Sequence, residues 1–114
     1  MSNSFLTAIS NLFLSKEQKK RIKLYRQLSA YIQFVADCPE KVLDSPATVW
    51  PMTSKEFANK LIKLTSYYDK TDLPRNPSEQ LSLLIRNQNT QLGEKKVRFL
   101  KGRLASGQIF NSNV

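Results

Sequence analysis

"SKEQKKRIKLYRQLSAYIQFVADCP", residues 15 to 39, carries the longest helical pattern in the chain. Ser15 followed three residues later by Gln18 is a capping-box pattern, in which each side chain satisfies a free backbone amide of the other. Ile22, Tyr25, Leu28, Ile32 and Val35 then recur every three or four residues, the spacing of one buried helical stripe. Pro39 ends the pattern, because the residue before a proline is pushed out of helical geometry. Asp37 and Cys38 read as its frayed tail.

The same signals recur downstream. Thr53 and Glu56 form a second capping box, followed by Phe57, Leu61, Leu64 and Tyr68 as an apolar stripe that should fade near Asp69. Asn76, Pro77 and Glu79 then make a helix start whose parts agree: a capping side chain, a proline at the first position and an acid in the first turn. Leu81, Leu84, Ile85 and Leu92 mark the buried side of that helix, with Gly93 as its C-terminal cap. A last helix begins near Glu94, with Val97, Leu100 and Leu104 inward and Gly107 at its end. Gly102 inside it costs about 1 kcal/mol relative to alanine. Between the first two helices, residues 39 to 52 hold three prolines and read as an ordered connection to which Val42, Leu43 and Trp50 contribute cover.

No stretch alternates with period two for long enough to make a strand. The expected fold is therefore all-α, a single-domain bundle of four to five helices over residues 1 to 114. Residues 1 to 14 form an N-terminal apolar segment, with Phe5, Ile9, Leu12 and Phe13 at helical spacing, and residues 108 to 114 a loose tail. A length of 114 residues, 40% hydrophobic and 24% charged, suits one modest core. No apolar run approaches the roughly 20 residues of a spanning helix. No basic segment precedes the first apolar stretch, which argues against a signal peptide. The single cysteine, Cys38, suits a reducing compartment, so the expected location is cytoplasmic.

Charge is the unusual property. Eighteen Lys and Arg oppose nine Asp and Glu, a net +9 that disfavours compaction unless a partner neutralises it. Lys16, Lys19, Lys20, Arg21, Lys23 and Arg26 stand against Glu17 alone, and Lys95, Lys96, Arg98, Lys101 and Arg103 stand against no acid within their run. Cations in the opening turns of a helix also oppose its macrodipole, at a few tenths of a kcal/mol each. Two such segments point to a polyanion. The expected phosphate contacts are Lys19, Lys20, Lys23, Arg26, Lys95, Lys96, Arg98, Lys101 and Arg103, sharing one side of the molecule. Among the aromatic residues, Phe99 is the candidate for stacking on a base.

Chemistry beyond binding is not indicated. The chain has no histidine, which removes the commonest general base and metal ligand together. Its acids show no spacing that asks for acid–base or metal chemistry, and no glycine loop is built to cradle a phosphate. The expectation is a non-enzymatic protein without cofactor or metal.

At "LYRQLSAYIQF" (24 to 34) and "VRFLKGRLASG" (97 to 107) the chain resembles the small helical subunit of CRISPR effector complexes, the Cascade type. The resemblance covers about a fifth of the residues. It implies a non-enzymatic, largely sequence-independent nucleic-acid-binding subunit of a ribonucleoprotein. The basic surface would then steady a guide-RNA–target duplex or a displaced single strand, beside other protein subunits. "WPMTSKEFANKLIKL" (50 to 64) is similar instead to helix openings of winged-helix domains in phage and plasmid primases, although no strand pair for a wing follows. A third reading is a membrane-associated immunity-type bundle, with residues 1 to 14 and the adjoining basic run at a membrane surface.

Overall fold

The computed structural model describes residues 15 to 68 and 71 to 112, the last three as backbone only, and among them four α-helices succeed one another. They are α1 (Lys16–Asp37), α2 (Ser54–Thr65), α3 (Pro77–Arg86) and α4 (Glu94–Ser112), with a single 3-10 turn, Glu40–Val42, after α1. There is no strand among the described residues, so the fold is an all-α bundle and the pair a wing requires is absent from them. No helix described here is long and apolar enough to cross a membrane. The N-terminal apolar segment, residues 1 to 14, lies outside the described residues, as do Asp69 and the final two residues of the tail.

Local chemistry sets each helix start. Ser15 Oγ accepts from the Gln18 amide at 3.1 Å while Gln18 Oε1 accepts from the Ser15 amide at 2.9 Å, the reciprocal box in full. Thr53 Oγ1 accepts from the Glu56 amide, and Asn76 Oδ1 from the Glu79 amide, with Pro77 at the first position of α3. Glu79 also reaches back to Arg75, accepting from its backbone amide and its guanidinium.

The core is one cluster to which every helix contributes. Helix α1 buries Leu24, Leu28, Tyr31, Ile32 and Val35. Compared with the expected stripe, Leu24 and Tyr31 replace Ile22 and Tyr25, which are half-buried at its edge. Leu61, Leu64 and Phe57 come from α2, Leu81 and Leu84 from α3, and Leu100 and Leu104 from α4. Met52 and Leu43 from the long connection close the cluster, with Trp50 packed against it.

Three boundaries differ from expectation. Helix α2 stops at Thr65, a turn before Asp69, and the Ser66 hydroxyl donates to the Lys63 carbonyl just past its end. Helix α3 stops at Arg86, so Leu92 and Gly93 lie outside it. The run of polar residues from 87 to 91 offers the core nothing, and the Gln88 side chain instead donates to the Leu84 carbonyl at 2.9 Å. Helix α4 runs through Gly107 to Ser112, so most of the expected loose tail is helical. Gly107 is buried against α2 and no glycine has a positive φ, so it serves close helix packing and not termination.

Tyr31 is almost fully buried and its hydroxyl has no hydrogen-bond partner among the described residues. Burial pushes its pKa from 10.0 up to about 12, partly opposed by the nearby Arg103 guanidinium. A raised acid pKa means that the unfolded chain releases this proton first. Its contribution to stability is therefore complete below pH 10.0 and declines as pH rises toward about 12. Tyr31→Phe removes that decline, and it also removes an orphaned buried hydroxyl. Urea titrations of the two proteins at pH 8 and at about pH 11 should show equal or greater stability for the variant, with the larger gain at high pH.

Candidate nucleic-acid interface

Each basic segment lies on a helix, so its side chains fan around an axis, and only some can face one ligand. On α4, Lys96, Leu100, Arg103 and Gly107 fall at spacings of four, three and four, which is a single stripe. That stripe faces the core. Lys96 Nζ donates at 2.6 Å to both the Ala36 and Cys38 carbonyls, closing the C-terminal end of α1 where backbone acceptors lack helical partners. Arg103 Nη2 donates to the Met52 carbonyl at 2.7 Å, and the guanidinium stands 5.6 to 5.7 Å from the ring centroids of Tyr31, Trp50 and Phe99. These two cations, expected to meet phosphates, hold the bundle together instead.

Lys95 is engaged as well, in an ion pair with Asp44 at 3.0 Å. Only Arg98 and Lys101 of this segment extend into solvent without an ion pair among the described residues. Phe99, expected as a stacking surface, is half-buried with its ring 4.9 Å from that of Trp50 and Arg103 over it. The neighbourhood is also close to electrically balanced, because Asp37, Glu40, Asp44 and Glu94 lie where α1 ends and α4 begins.

The first segment behaves differently. Lys19, Lys20, Lys23 and Arg26 are all exposed on α1, and none has an ion pair among the described residues. Arg21 is set apart, its guanidinium 5.7 Å from the centre of the Tyr68 ring. The two segments do not form the single track expected of them. Lys96 anchors at Ala36, and Lys20 lies 16 residues earlier on α1, which is about 24 Å along the helix axis.

What joins the α1 segment is α2. The helices run antiparallel, with Lys60 Nζ donating to Gln27 Oε1 at 3.0 Å across the seam. Toward the start of α1, the groove between them is lined by Lys20, Lys23, Leu24, Gln27, Lys60, Lys63 and Tyr67. Four ammonium groups thus line one groove with no carboxylate among its described walls. Glu17 and Glu56 belong to neighbouring surface depressions that share Tyr67 and Lys60 with the groove. Lys60 and Lys63 do not stand out by charge count, because residues 55 to 75 mix both signs. Their spacing of three on an amphipathic helix was the available signal: it sets both on the flank beside the buried stripe.

Like charges held in one groove repel, and an anion laid along it relieves that repulsion. The geometry supplies point charges on flexible stems, which suits phosphates met along a backbone better than a planar fork for one base edge. Among the described residues no three His, Cys, Asp or Glu side chains come together. No protein-family model, curated protein or solved structure matches the chain.

Proposed function

We propose that this protein binds nucleic acid through its phosphate backbone, without catalysis and without reading sequence, using the groove between α1 and α2. One observation carries the reading: Lys20, Lys23, Lys60 and Lys63 line a single open groove that no described acid neutralises. Lys19 and Arg26 extend the positive face along the outside of α1. The small-subunit role implied by the CRISPR-effector resemblance is the larger setting we propose for this activity, with α1 and α2 toward the nucleic acid.

Four phosphates engaged by four lysines release about one counterion each, so log K should fall with log salt at a slope of roughly −3 to −3.5. Fluorescence anisotropy with labelled oligonucleotides of several sequences, at several salt concentrations, measures it. Lys23→Glu should weaken binding about tenfold for every sequence and make the slope shallower by about one. Arg98→Glu, on α4 and outside the groove, should leave affinity within about twofold if the groove is the site. A salt-independent affinity, or equal losses from both variants, would refute the assignment.

A further inference from the structure

The lysine groove does not end at Lys60. Gln27 and Lys60 also line a second depression, farther along the same seam, whose other walls are Ala30, Tyr31, Phe34, Pro51, Met52 and Glu56. Along α1 the order is therefore Lys20 and Lys23, then Gln27, then Ala30 and Phe34, at roughly one helical turn per step. From Lys20 to Phe34 the seam extends about 21 Å. Where the Lys60–Gln27 hydrogen bond crosses it, the walls change from lysines to mostly apolar side chains, with Glu56 the one carboxylate among them.

Phe34 sits at the apolar end. The residue is 41% exposed, beside a core whose other described phenylalanines, Phe57 and Phe99, are buried or half-buried. Trp50 meets it edge to face, with the ring centroids 6.0 Å apart and the planes at 78°. Tyr31, which also meets Trp50 edge to face, is buried, whereas Phe34 keeps its ring at the surface.

Resting on the phosphate-binding reading above, we infer that the depression at Phe34, Pro51 and Met52 accepts an unpaired base, which makes the preferred ligand single-stranded nucleic acid. Phosphates lie on the lysines and a base at one end of the run stacks on Phe34. Every base has a π-face, so this contact adds affinity without sequence choice. A duplex offers the same phosphates, but its bases are stacked on one another and cannot enter the depression.

The full chain is titrated by anisotropy with a labelled oligothymidylate of about 12 nucleotides, an abasic strand of equal length and a duplex of equal length. The oligothymidylate should bind about tenfold more tightly than the abasic strand. Phe34→Leu should abolish that advantage while leaving the salt slope unchanged. Ala30→Gln, which fills part of the depression while keeping the Phe34 ring, should do the same, so the test survives if the first variant folds poorly. Equal affinities for the oligothymidylate and the abasic strand, or an advantage that both variants retain, overturn the inference while leaving the phosphate site standing. No salt-dependent binding of any of the three ligands overturns both.

Discussion

Alanine at Gly107 should lower the melting temperature by about 12 to 20 °C, whereas alanine at Gly102, five residues earlier on the same helix, should raise it by about 3 to 6 °C. The opposite signs follow from what an added Cβ would meet. At Gly107 it would overlap the Ser54 carbonyl oxygen outright and stand 2.6 Å from the Ala58 Cβ. Backbone cannot rotate away as the end of a side chain can, so α2 and α4 must separate or tilt. Overpacking of this kind costs about 3 kcal/mol, a large share of the ~5–15 kcal/mol that holds a domain together. At Gly102 nothing among the described residues lies within 4 Å, and the effect is the entropy saved when a flexible residue is removed from a helix interior, about 0.5–1 kcal/mol. Thermal unfolding followed by circular dichroism measures both; a stabilised Gly107→Ala would show that the two helices do not cross there.

The second large effect belongs to a cation. Arg103→Ala strands the Met52 carbonyl and strips one guanidinium from the faces of three rings. A hydrogen bond from a charged donor is worth about 1.5–3 kcal/mol, and each ring contact about 0.5–1 kcal/mol. The Nε atom is buried without an acceptor among the described residues, which offsets part of that sum. A net loss of about 3 kcal/mol is expected, visible as a lower urea midpoint at unchanged slope. Arg103→Lys should recover less than half of it, because an ammonium cannot lie flat against rings while reaching the carbonyl. Lys101→Ala, on the solvent side of the same helix, should stay within about 0.5 kcal/mol of the parent. The contrast matters for binding experiments, since weaker nucleic-acid binding by an Arg103 variant would report a loosened fold.

Helix starts were legible because their chemistry is local: Ser15 with Gln18, Thr53 with Glu56, and Asn76 with Pro77 and Glu79 need only three or four residues to declare themselves. Ends were less so. Leu92 stands seven residues after Ile85 and continued the apparent stripe, although nothing apolar lies between them. Gly107 has the composition of a terminator, and only the position of Ser54, 53 residues away, shows that it is a contact surface. Of the proposed groove, only the α1 side was legible. Lysines 19, 20 and 23 and Arg26 are exposed as expected, but charge counted along a sequence is blind to rotation about a helix. Lys96 and Arg103 share a stripe with Leu100, a fact available from spacing alone. That Lys60 and Lys63 complete the groove required the antiparallel pairing of α1 and α2.

Trp50 is the only indole in the chain, and it sits where α1, the proline-rich connection and α4 converge, against Phe34, Phe99 and Arg103. The molecule thus carries its own optical gauge. Departure of α4 would expose that indole to water and shift its emission to longer wavelength, whereas a nucleobase arriving beside Phe34 would dim it without a shift. Colour and brightness read from a single unlabelled sample therefore separate loss of architecture from arrival of a ligand.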